Sequence, residues 1–94
     1  MPRKEKVTRV IDGDTFETAS RKSPVRLANV NAPGLEQPNG AIAKKLLEEI
    51  ILEKTLEIET VGKDKDNRSI AKVRADGKSV NRAIRKRLHK LIHS

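Results

Sequence analysis

The chain has no cysteine, tryptophan or tyrosine, and Phe16 is its one aromatic residue. Without thiols there is no disulfide framework, no thiolate metal site and no cysteine nucleophile. Without an aromatic platform, binding of single strands by base stacking is a poor reading. No stretch approaches the ~18–20 apolar residues of a membrane span, so no membrane partner is expected. The basic start, MPRKEK, leads into no apolar segment of the kind a signal peptide needs, and a cytoplasmic location is expected. Ninety-four residues make one domain over 1–94, with a modest and necessarily aliphatic core. Residues 1–5 are expected to form a flexible basic tail, and the chain to be a monomer.

Positive charge is what the chain has in excess. Twenty-one Lys and Arg against thirteen Asp and Glu give +8 and a pI near 10.1, which favours polyanionic partners through counterion release. A solvated basic surface with no dedicated partner is the plainer alternative on charge alone.

Local pattern predicts the element order β-β-β-α-β-β-α. Strands are predicted over 7–12, 15–18, 25–30, 55–61 and 69–75, with turns at 21–24, 62–67 and Asp76-Gly77. Pro33, Gly34 and Pro38 make 31–38 a loop, and Asn39 is a plausible N-cap. Ile42, Ala43, Leu46, Leu47, Ile50 and Ile51 recur at helical spacing over 41–53. A second helix from 79 to about 92 carries Val80, Ile84, Leu88 and Leu91 on one stripe and basic residues elsewhere. A five-stranded barrel with a helix packed over one end satisfies this order and leaves no open edge.

VIDGDTF at 10–16 sets Asp12 and Asp14 about a glycine at a turn. Two such carboxylates repel unless a cation answers them, and calcium takes clustered oxygen ligands of this kind. An Asp-Gly hairpin turn with Asp12 as its acceptor is the simpler reading. VRLANVNAP at 25–33 then places Arg26 inside an otherwise apolar strand, where a guanidinium needs an anion or a carboxylate partner. KDKDNR at 63–68 places Arg68 where a hairpin re-enters its strand. Two guanidiniums near a metal suit phosphodiester hydrolysis, because the phosphorane gains negative charge that bidentate donors stabilise. His89 and His93, four apart on the last helix, have no acidic or thiol companion and read as solvated histidines.

VIDGDT, then VRLxxVxxP, then DKxxRSIA, then DGKSVNRAI resemble, in order and spacing, the signatures of the staphylococcal-nuclease-like (thermonuclease) family. The resemblance implies an α+β, mainly β, OB-fold-type barrel. It also implies calcium-assisted attack of water on single-stranded DNA or RNA. It makes Asp14, with Asp12 close by, the Asn31 side chain and the Ala32 carbonyl the metal ligands. Arg26 and Arg68 become the phosphate clamps. Lys65 matches a lysine that contacts a terminal phosphate, and Lys63 is grouped with it.

Three departures stand against the pattern. Asn31 supplies a neutral oxygen where an aspartate is common. Gly34 stands where the family carries its water-orienting glutamate, with Glu36 two residues on. Asp66-Asn67 replaces a usual Tyr-Gly, which adds a carboxylate, though Asn67 tolerates the left-handed conformation of glycine. In an extended loop Glu36 starts roughly 6–7 Å beyond Gly34. Glu36, the remaining candidate for the catalytic base, can then serve only if the loop folds back, and the expectation is a weakened nuclease. On that basis Gly34→Glu should raise activity at least about tenfold, within what a general base contributes, and Glu36→Gln should matter little. A nucleic-acid-binding module with decayed catalysis and a protein-interaction scaffold are the alternatives.

Overall fold

The computed structural model describes residues 3–93, apart from the side chain of residue 92. Strand β1 (Arg3–Asp12) serves two neighbours. Its first four residues pair antiparallel with β4 (Thr55–Lys63), and its remainder with β2 (Thr15–Thr18). Two bulges, between Val7 and Arg9 and between Val10 and Asp12, each set two steps of β1 against one of β2. Such bulges sharpen the local twist and curl a sheet.

Strand β3 (Val25–Leu27) pairs antiparallel with β2 and parallel with β5 (Ser69–Ala75), and β5 returns antiparallel to β4. The circuit β1-β2-β3-β5-β4 is closed, giving the expected five-stranded barrel. Asp76 and Gly77, at φ 52° and 78°, turn the chain into the two-residue strand β6 (Lys78–Ser79), which the sequence pattern did not predict. Both positions need positive φ, the requirement of the tight hairpin turn that favours Asp-Gly.

Helix α1 (Gly40–Ile51) buries Gly40, Ala43, Leu47 and Ile51, a stripe at spacings of three, four and four. Ile42, assigned to the same apolar face by spacing, is 49% exposed and stands off it. Asn39 occupies the N-cap position at φ 67° but makes no capping hydrogen bond, so its value there is left-handed tolerance. Helix α2 (Val80–His93) is capped by Ser79, whose Oγ accepts from the Arg82 amide at 3.1 Å, and it buries Val80, Ile84 and Leu88. These side chains meet Val7, Val10, Phe16, Leu27, Leu56, Ile58 and Val73 in one core that is aliphatic but for Phe16.

Two further expectations need correction. The third strand stops at Leu27 instead of Val30, because Asn29 turns left-handed at φ 59°. The supposed tail is structured from Arg3 onward, since residues 3–5 pair with β4; residues 1 and 2 lie outside the described residues.

Glu53, just past the end of α1, has φ 63°. A side chain with a Cβ is strained there, and a carboxylate at a helix C-terminus opposes the helix dipole. Glu53→Gly is expected to raise unfolding stability by about 1 kcal/mol in urea titration.

Candidate active site

The site grows out of the turn between β1 and β2. Asp12 Oδ1 accepts from the Asp14 amide at 3.0 Å, which closes the turn around Gly13 and makes Asp12 a turn acceptor in this structure. Burial raises the pKa of Asp12 above the usual aspartate value, and the adjacent Asp14 carboxylate adds to the rise. Gly13 is needed for packing. A Cβ there would stand 2.6 Å from the Ala32 methyl and 2.8 Å from that of Ala43 on α1. The glycine thus lets the loop after β3 and the helix close onto the turn.

That closure brings three predicted side chains to one place. Asp14 Oδ1 accepts from the Thr15 hydroxyl at 2.9 Å, and Oδ2 accepts from the Ala32 amide at 3.2 Å. Val25 and Leu27 point into the core, so Arg26 between them points outward. Its Nη2 donates to Asn31 Oδ1 at 3.2 Å and to the Val30 carbonyl at 3.3 Å, and lies 3.8 Å from Asp14 Oδ2. Asp14 and Asn31 therefore aim oxygens at the same cationic nitrogen. Arg26 Nε and Nη1 have no hydrogen-bond partner among the described residues.

Arg68 enters β5 one residue before Ser69. Arg26 faces Ile70 in the parallel β3–β5 register, and alternation puts Arg68 on that same outer side. With strands ~4.8 Å apart and two residues of offset, the two arginine Cα atoms stand roughly 8 Å apart. Arg68 is also held by its own hairpin: Nε donates to Asp64 Oδ2 at 2.7 Å, and Nη2 reaches Asp66 Oδ2 at 3.4 Å. Asp64 Oδ1 accepts from the amides of Asp66 and Arg68, both at 2.9 Å. Desolvation opposes ionisation of Asp64, but the Arg68 amide and guanidinium outweigh it and hold its pKa below the usual value. Asn67 is left-handed at φ 64°, as the glycine comparison implied. Lys63 Nζ lies 3.5 Å from Asn67 Oδ1, and Lys65 is exposed at the tip of this hairpin.

The loop carrying Glu36 is not extended. The Gln37 amide donates to the Gly34 carbonyl at 2.9 Å, and the Gly34 amide donates to Gln37 Oε1 at 3.1 Å. This turn swings the Glu36 carboxylate back over Gly34, with Oε1 2.7 Å from where a Cβ on residue 34 would sit. The expected 6–7 Å handicap does not exist. Gly34 has no positive φ; what its missing side chain provides is room for the carboxylate of Glu36. Gly40 holds the turn down, because its Cα abuts the Gly34 carbonyl and any Cβ would collide with it.

Two polar clusters escaped the sequence pattern. Glu5, 4% exposed, accepts a bidentate pair from Arg21 at 2.7–2.9 Å and hydroxyl bonds from Thr18 and Ser20, both 2.9 Å. Asn81, inside the DGKSVNRAI phrase, accepts from the Val73 amide at 2.8 Å and donates to the Ala28 and Ala71 carbonyls at 2.9 and 3.1 Å. It ties α2 to the loop that leads to Asn31. The His89 and His93 rings lie 4.4 Å apart, and no cluster of three or more His, Cys, Asp or Glu suited to a metal occurs among the described residues.

A small closed barrel packed by a helix, with the outward Arg26 beside Asp14 and Asn31, makes this an OB-type domain. Residues 24–87 match the family described as staphylococcal nuclease homologue. The chain belongs to that family. It is 35% identical over 79 residues to an uncharacterized endonuclease of Escherichia coli O157:H7, covering 81% of this chain and 52% of that protein. It is 34% identical over 79 residues to an uncharacterized endonuclease of Haemophilus influenzae, covering 81% of this chain and 44% of that protein. The chain spans about half the length of these curated relatives.

Proposed function

We propose that the domain hydrolyses phosphodiester bonds in single-stranded DNA or RNA, aided by a calcium ion. The observation that carries this reading is Arg26, held by one nitrogen beside Asp14 and Asn31 with its other donors open. Those donors, with Nη1 of Arg68, suit two non-bridging oxygens of one phosphodiester and stabilise the charge that builds on them. Glu36, folded over Gly34, serves as the base that takes a proton from the attacking water.

Asp14 Oδ2 and Asn31 Oδ1 are oxygens of the kind a hard divalent cation takes, and both face Arg26 Nη2, which an ion held between them would move aside. Asp14 and Asn31 would hold the ion, with the Ala32 carbonyl and Asp12 as the remaining candidates, and the single full charge of Asp14 makes the affinity weak. Bound there, calcium supplies polarisation of the phosphate oxygens.

Arg26→Ala is expected to reduce cleavage of a single-stranded oligonucleotide by ~10²–10³-fold, the scale of a lost oxyanion donor. Unchanged cleavage in a folded variant would refute the assignment.

A second reading, a binding module with decayed catalysis, is favoured by the Asp64 and Asp66 carboxylates on Arg68. The two readings part at Asp66. If Arg68 clamps substrate, Asp66→Asn removes a competing anion and lowers KM by roughly 3- to 10-fold, about 1 kcal/mol of an exposed ion pair. A folded Asp66→Asn variant that binds the strand more tightly but cleaves nothing supports the decayed module.

A further inference from the structure

Helix α2 carries five Lys and Arg side chains and no carboxylate. Val80, Ile84 and Leu88 face the core, while Arg82, Arg85, Lys86 and Lys90 fall at i, i+3, i+4 and i+8 on an exposed face. Arg87 pairs with Glu49 at 3.0 Å. Among the described residues, no carboxylate pairs with the other four. With His89 they rim one surface depression of about 620 Å³. Such a concentration of like charge is unfavourable by itself and calls for an anionic occupant.

One end of the face borders the loop that leads to Asn31. Asn81 binds the Ala28 carbonyl, and a cleft of about 220 Å³ runs between Asn29 and Arg85, with Lys72 and Arg74 on its wall. Asn29 lies two residues before Asn31. Lys72 and Arg74 oppose Glu59 and Glu57 across the β4–β5 register, so the unanswered charge is that of α2.

We propose that this face of α2 is a second binding surface, which holds the sugar-phosphate backbone of the strand whose scissile bond lies at Arg26. From Arg82 to Lys90 the helix rises ~12 Å, enough for roughly three phosphates at duplex-like spacing. With no Phe, Tyr or Trp on the face, contact is mainly with the backbone and tolerant of sequence. The inference rests on the nuclease reading for the placement of the scissile bond, but not for binding.

The test replaces Arg82, Arg85, Lys86 and Lys90 together with Gln, all exposed positions whose loss leaves the core intact. Fluorescence anisotropy with a single-stranded oligonucleotide of about 20 nucleotides, longer than one such barrel covers, gives affinity against salt. The variant is expected to bind about tenfold or more weakly at low salt, with the slope of log K against log salt shallower by about 2. If the wild type cleaves, KM for the long strand rises while hydrolysis of a dinucleotide is unchanged. An unchanged slope in a variant with wild-type thermal stability overturns the proposal and leaves the nuclease reading standing. Equal loss on long strand and dinucleotide also overturns it, as does wild-type preference for phosphatidylserine vesicles over the oligonucleotide. A shallower slope in a chain that never cleaves supports the surface and refutes the nuclease.

Discussion

Replacing Glu36 with Gln is expected to lower the rate of strand cleavage by ~10²–10⁴-fold, the usual contribution of a positioned general base. From residue order alone the opposite result was expected, because a glutamate two positions beyond Gly34 in an extended loop lies too far along. The 34–37 turn removes that distance and seats the carboxylate where the side chain of residue 34 would begin. Gly34→Ala then becomes informative. Its methyl needs the space of Glu36 Oε1, so the carboxylate must swing away while the backbone, with no positive φ at residue 34, has no cause to move. A fall in kcat for Gly34→Ala with unchanged stability is the expected signature. If Glu36→Gln cleaves like the wild type, the base lies elsewhere.

The largest effect on stability is expected at Glu5 and Arg21. Arg21 and the two hydroxyls hold the buried Glu5 carboxyl down to a pKa of about 2, against an ordinary 4.5. Because the folded pKa is depressed, the stabilisation is fully present above about pH 4.5 and is lost as pH falls towards 2. It amounts to something on the order of 3 kcal/mol. Arg21→Met leaves a buried charge unpaired and is expected to cost ~3–5 kcal/mol at neutral pH. Urea titrations from pH 7 down to pH 3 should show the variant converging on the wild type as Glu5 protonates. A constant gap across that range would show that the loss is one of packing.

Much of the barrel could be read from the chain, for reasons that can be named. Strands 15–18 and 69–75 were placed to the residue because short β-branched runs sit between turn residues. The first half of β1 was missed, since RKEK has no apolar period. Its strand character comes from pairing with β4 and from a carboxylate answered by an arginine sixteen residues away. The residues around Arg26 were legible because an arginine between two core residues demands a partner. The wrapping of Arg68 by Asp64 was not anticipated, although an aspartate four residues before an arginine at a hairpin was a usable signal. The position of Glu36 could not be read, because the turn beneath it depends on the Gln37 side chain and on the close approach of Gly40.

The most direct test is cleavage of end-labelled single-stranded DNA and RNA by this chain, with added calcium and with a chelator, in the wild type and Asp14→Ala. Cleavage that needs calcium and is lost in folded Asp14→Ala is the predicted result. No cleavage of either strand, or cleavage indifferent to chelator and to Asp14, would contradict the account.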